Sequence, residues 1–224
     1  MKIVFFGDSL TEGSYGGNYV NVLREKHPEH ELINAGQSGN TVINLLDRLE
    51  SDVLVLEPDG VFVMVGGNDA ISYSQPRTQI YYKQVQNIPD GVVTPDQFSQ
   101  TYRELLGTLQ TNYIQTWVGL PPAEYNPAVV EAQQQYNRLA ADAARSMGIP
   151  TLDLMPHFKP DDIPQRPMLD LAFIQEIGRR SQGGWSDYET SRQEKGFTYT
   201  FDGLHLLPES AGRMAELIGD FLPL

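Results

Sequence analysis

The chain has 224 residues, 40% of them hydrophobic and none of them cysteine, and 29 acidic against 16 basic side chains leave a formal charge of −13 at pH 7. That balance disfavours nucleic acid and anionic membrane surfaces, whose phosphates recruit Lys and Arg. Without cysteine there is no disulfide scaffold, thiolate metal site, iron–sulfur cluster or cysteine nucleophile, while roughly 90 apolar side chains suffice for one core.

In chain order, Ile3–Phe6 reads as a buried strand closed by Gly7. Its four apolar residues fall short of the roughly 7–15 of a signal-peptide core, and no apolar run approaches the roughly 18 of a membrane span. We therefore expect a cytoplasmic protein. Leu32–Ile33 is a second strand, ended by Asn34-Ala35-Gly36, and Val42, Leu45, Leu46 and Leu49 form a helical stripe. Val61–Val65 is the clearest strand, stopped by Gly66-Gly67. The stretch Ile71–Val93 fits a minimal core poorly. Thr94 caps a helix with Pro95 at its first position, turning Phe98, Tyr102, Leu105, Leu106 and Leu109 inward. Ile114–Leu120 is a fourth strand, and Ala132, Tyr136, Leu139, Ala140, Ala143 and Met147 recur at helical spacing before Gly148. Thr151–Leu154 is a weak fifth strand. Met155–Phe201 is long, irregular and rich in aromatics, and Pro208 starts a last helix. Alternating strands and helices predict a parallel sheet with helices on both faces, within one domain spanning 1–224. The stretches at about 71–93 and 155–201 are left over to shape a substrate site.

Ligands in such sheets bind beyond the carboxyl ends of the strands. Four sequence blocks fall there. Ser9, in Gly7-Asp8-Ser9-Leu10, sits where a strand turns into a helix; alone, a serine there reads as a helix cap. Asn34 to Thr41 and Gly66-Gly67-Asn68-Asp69 supply glycines and side-chain amides, donors suited to a developing oxyanion, though alone they read as ordinary turns. Asp202-Gly203-Leu204-His205 sets a carboxylate three residues before a histidine, so that one ring nitrogen is held and the other left free as a base. His27, His30 and His157 read as loop residues, and we expect neither metal nor cofactor.

With these four blocks in order, the chain resembles the SGNH hydrolases, the GDSL-type lipases and esterases. The resemblance rests on Ser9, Gly39, Asn68 and the pair Asp202 and His205, and runs from residue 6 to residue 205. It implies a flavodoxin-like three-layer α/β/α sandwich with a five-stranded parallel sheet. It implies an esterase acting through an acyl-enzyme, with Ser9 as nucleophile, His205 as base and Asp202 orienting the imidazole. The Ser9 and Gly39 backbone N–H groups and the Asn68 side chain would form the oxyanion hole, with Asp8 and Asp69 as positioning residues. The substrate is expected to be a small-molecule or carbohydrate ester with an acetyl or other short acyl group. Trp185, Tyr188 and Tyr199 are candidates to pack on a sugar ring, and Trp185 reads equally as a buried anchor. Alternatives are a lipase, lysophospholipase or thioesterase for longer acyl chains, and, remotely, a binding module without catalysis.

Overall fold

Successive side chains of a strand point to opposite faces of its sheet, and here both faces are apolar. In the first strand Val4 and Phe6 enter one core while Ile3 and Phe5 enter another, and Val61 and Val63 alternate with Phe62 and Met64 in the same way. A strand buried on both faces is what a parallel sheet with helices on each side requires. The computed structural model describes residues 1–224. It contains β1 (Lys2–Gly7), β2 (Glu31–Gly36), β3 (Gly60–Met64), β4 (Gln115–Leu120) and β5 (Thr151–Asp153). All pair in parallel, in the order β2-β1-β3-β4-β5.

The larger core lies under the helices Val42–Asp47, Pro95–Thr111 and Pro127–Ser146. The smaller one lies under Tyr19–Lys26 and Pro208–Phe221. The expected five-stranded α/β/α sandwich is thus the observed one. Local signals account for several helix starts. Thr94 and Gln97 form a reciprocal capping box ahead of Pro95, and Asn126 accepts from the Val129 N–H ahead of Pro127. The stripe through Val42 and Leu49 is divided, with a break at Arg48 between Val42–Asp47 and Leu49–Asp52.

Two expectations are corrected. The stretch 71–93 belongs to the core: Ile71, Tyr82, Ile88 and Val93 are buried in the larger cluster, and the segment is largely helical, over Gly67–Ser74 and Gln79–Gln84. The stretch 155–201 likewise contains the helices Leu171–Gln182, capped by Asp170, and Tyr188–Lys195. Neither helix covers the sheet; Leu171–Gln182 is nonetheless amphipathic, with Leu171, Ile174 and Ile177 at helical spacing. Leu171–Gln182 has no fully buried residue and Tyr188–Lys195 has one, Ser191.

Candidate active site

In the strand order, β1 lies between β2 and β3, so the chain leaves β1 to one side and later returns to the other. The crevice at the carboxyl ends of β1 and β3 is the topological switch point, where open α/β sheets bind ligands. Ser9 follows β1 and Asn68 follows β3. The Asp202–His205 turn comes from the far end of the chain and closes over the same crevice.

Asp8, not Ser9, caps the short helix Ser9–Glu12: its Oδ1 accepts from the Leu10 N–H at 3.0 Å. The serine hydroxyl is thereby released from capping. Ser9 Oγ lies 3.1 Å from His205 Nε2, and His205 Nδ1 lies 2.8 Å from Asp202 Oδ2. The other Asp202 oxygen accepts from the backbone N–H groups of Leu204 and His205 at 2.9 and 2.8 Å. An ionised, acceptor-only Asp202 satisfies all three bonds, and Nδ1 must then carry a proton. That leaves the Nε2 lone pair facing the serine.

Asp202 and His205 are buried. Burial disfavours both charged forms, yet their mutual attraction and hydrogen bonds outweigh it, holding the Asp202 carboxyl below its ordinary range and His205 above. Asp8 and Glu12 also favour the imidazolium. The imidazole is flanked by Tyr15, edge-on at 5.2 Å, and Phe201, stacked at 6.2 Å.

Asn68 donates from Nδ2 to the Asn40 carbonyl at 3.1 Å, with a longer 3.4 Å contact to Asp8 Oδ2. Gly39 has φ of +79°, in the left-handed region that favours glycine, and a Cβ there would lie 2.2 Å from the Tyr81 hydroxyl. Neither the Ser9 nor the Gly39 backbone N–H is bonded to an acceptor of the chain. Asp69 is fully buried away from the crevice and accepts from the Val42 N–H at 3.1 Å, tying two helix starts together. Burial raises the Asp8 carboxyl to about 6 and that of Asp69 to about 8.

Ser9, Gly39, Asn68 and His205 line one cavity of about 330 Å³, within the range of small-molecule sites. One wall is apolar, with Ile71, Val129, Leu169, Phe173, Ile174 and Ile177. The charged residue types on the lining are the acids Asp8 and Glu12; Lys and Arg are absent from it. The stretches 71–93 and 155–201 both reach the cavity, one through Ile71, Tyr81 and Tyr82, the other through Leu169 and the Leu171–Gln182 helix.

Trp185, Tyr188 and Tyr199 do not line it. Trp185 and Tyr188 pack with Tyr15 and Phe201, Tyr188 Oη accepts from the Gly16 N–H, and Tyr199 lies edge-on against Phe158. Each of the three is half-buried against these partners, outside the cavity. Trp185 packs on Tyr15 and Phe201 with Arg180 over its ring, and is half-buried there.

Three residues outside the sequence blocks serve the site. Glu124, buried after β4, accepts from the N–H groups of Thr198, Tyr199 and Thr200 and from the Thr200 hydroxyl, anchoring the segment that leads to Asp202. Arg48 donates to the Gly7 and Ala35 carbonyls and to Asn40 Oδ1, joining the ends of β1 and β2. Tyr82 donates to Asn68 Oδ1. None lies in a motif, and only Tyr82 was inside a stretch assigned to the site.

A sandwich with Gly-Asp-Ser-Leu at the end of its first strand, facing a histidine paired to aspartate, has the architecture of the GDSL-type acyl hydrolases. The chain belongs to the GDSL-like lipase/acylhydrolase family, whose profile matches residues 5–172. That span includes Ser9, Gly39 and Asn68 and stops short of Asp202 and His205. An acetylxylan esterase of Geobacillus stearothermophilus is 38% identical over 86 residues, 30% of this chain and 39% of that one. The match thus spans about two fifths of the relative's length. Among solved structures, an acetyl xylan esterase superposes with a TM-score of 0.68 at 22% identity, covering 99% of this chain and 100% of that one. A lipase/acylhydrolase from Enterococcus faecalis gives 0.62 at 19% identity, covering 98% and 94%. At these identities the structural likeness speaks for the fold.

Proposed function

We propose that the chain is a serine esterase that hydrolyses uncharged carboxylic esters through an acyl-enzyme. The observation that carries this is the continuous hydrogen-bonded chain from Ser9 Oγ through His205 to Asp202. Ser9 Oγ attacks the ester carbonyl carbon while Nε2 takes its proton, and the carbonyl π electrons move onto oxygen. The Ser9 and Gly39 N–H groups and Asn68 Nδ2 receive that oxyanion, the 3.4 Å contact of Asn68 to Asp8 being the weaker one to give up. The imidazolium then protonates the departing alcohol. Water repeats the sequence on the acyl-enzyme, releasing the carboxylic acid and restoring Ser9. Asp8 and Asp69 act as positioning residues, one capping the nucleophile's helix and one fixing the loop that leads from Gly39.

Acetyl or other short acyl esters of carbohydrates or small molecules are the first reading of the substrate, supported by the acetylxylan esterase relative. A longer acyl chain is the second, favoured by the apolar wall of Ile71, Val129, Leu169, Phe173, Ile174 and Ile177. The two carboxylates and lack of Lys or Arg on the lining weigh against an anionic ester in either case. Hydrolysis of p-nitrophenyl esters of two to sixteen carbons, beside an acetylated xylo-oligosaccharide, separates the readings. A preference for two to four carbons supports the first, and an optimum of eight or more the second. A fluorophosphonate should label the wild type and leave Ser9→Ala unlabelled and inactive. Full activity in Ser9→Ala would overturn the serine mechanism.

A further inference from the structure

The segment around Gln79–Gln84 grips two of the three proposed oxyanion donors. Tyr82 is buried and its hydroxyl donates to Asn68 Oδ1 at 2.9 Å. With the amide oxygen held there, Nδ2 is aimed at the Asn40 carbonyl and Asp8 Oδ2. Exchanging the two amide atoms would set a carbonyl oxygen against those two acceptors, so the amide has one satisfiable orientation. A donor on an amide oxygen also polarises its N–H groups, because hydrogen bonds in series reinforce one another.

Gln86 works on the neighbouring turn. Its Nε2 donates to the Ser38 carbonyl at 3.3 Å and to the Tyr81 hydroxyl at 2.9 Å, while its Oε1 accepts from Asn40 Nδ2 at 3.3 Å. It therefore straddles Gly39, whose Cβ, if present, would lie 2.3 Å from Gln86 Nε2.

We propose that Tyr82 is a positioning residue for ester hydrolysis, its hydroxyl orienting and polarising the Asn68 amide toward the oxyanion, with Gln86 bracing the Gly39 turn beside it. This rests on the serine-esterase reading above. Tyr82 touches no reacting atom and acts through Asn68, so removing its hydroxyl is felt where negative charge develops and not in ground-state binding.

The experiment is a double-mutant cycle on the best p-nitrophenyl ester, with kcat and KM measured for Tyr82→Phe in the wild-type and Asn68→Ala backgrounds. Tyr82→Phe keeps the ring and its edge-on packing against Tyr81 at 5.2 Å. It is expected to lower kcat about three- to tenfold, the effect of one hydrogen bond, with KM unchanged, and to do nothing further once Asn68 is alanine. An equal loss in both backgrounds, a loss carried by KM, or wild-type kcat overturns the proposal. Gln86→Ala, at a half-exposed position, tests the brace even if Tyr82→Phe misfolds. Its kcat should fall severalfold and the fall should persist in Asn68→Ala, because it acts at Gly39; no fall, or one that vanishes there, overturns the brace. Fluorophosphonate labelling keeps the two levels apart. An unlabelled wild type removes the serine reading, whereas normal labelling with an unaltered Tyr82→Phe kcat removes only this inference.

Discussion

Replacing Asp202 by asparagine changes one oxygen to NH₂ and little in shape, yet three hydrogen bonds depend on that carboxylate. Asp202 Oδ1 takes the Leu204 and His205 N–H groups at 2.9 and 2.8 Å, and Oδ2 takes His205 Nδ1 at 2.8 Å. An asparagine keeps its carbonyl on the two backbone donors, since the alternative buries two N–H groups against an NH₂. The NH₂ then faces Nδ1, which must become the acceptor. The imidazole proton moves to Nε2 and points at Ser9 Oγ, so the base has lost its lone pair. The wrong tautomer in such a triad lowers kcat by about 10⁴, roughly 5–6 kcal/mol of barrier. The assay is the pH profile of kcat/KM on a short p-nitrophenyl ester. His205 is held above its ordinary 6.5, chiefly by Asp202 against the effect of burial. The wild-type profile should therefore fall as pH drops through a midpoint above 6.5, where the base becomes protonated. In Asp202→Asn the residual activity should have its acid limb at lower pH. A variant within tenfold of the wild type, with the acid limb unmoved, would refute the orienting role.

Two further outcomes follow from buried carboxylates. Glu124→Gln leaves one carbonyl where two oxygens took four donors, so at least the part-buried Thr198 N–H opposes another; we expect a loss of about 1–3 kcal/mol in denaturant unfolding together with a lower kcat, and unchanged stability would show that the anchor is dispensable. The Asp69 carboxyl is raised by burial to about 8 from 3.8, so the folded state keeps a proton that the unfolded chain loses, and stability should decline as pH rises from about 4 to 8. Asp69→Asn should melt higher than the wild type at pH 8 and leave the smaller declines due to Asp8, raised to about 6, and to His205, held above 6.5; a slope equal to that of the wild type would contradict the assignment.

The sandwich was legible because its strands and major helices satisfy local and global demands with the same residues. Val4 to Phe6, β-branched and aromatic and closed by Gly7, suits a strand buried on both faces, and Thr94-Pro95 with Gln97 suits a helix start. The reacting groups were legible because their chemistry needs particular residue types at strand ends. The wall-forming helix Leu171–Gln182 was passed over although Leu171, Ile174 and Ile177 recur at helical spacing, because it lies within a long stretch between the last strand and the last helix that the sheet alternation does not call for. Trp185, Tyr188 and Tyr199 lie off the cavity for a related reason: an aromatic residue type announces that it will pack, and its partner is set by tertiary structure. Glu124, Arg48 and Tyr82 lie in no motif, because each is defined by bonds to groups between 8 and 76 positions away.

The nucleophile and its base stand 196 positions apart in the chain. Their meeting is among the most distant contacts this topology makes, and loop-closure entropy places such contacts late in folding. The helix Pro208–Phe221, which covers Ile3 and Phe5, also follows His205, so the second face of the sheet and the Ser9–His205 pair are completed by neighbouring segments. Recovery of turnover during refolding would serve as a clock for the last closure, lagging behind the return of secondary structure, and a partly synthesised chain would be silent until its final segment had docked.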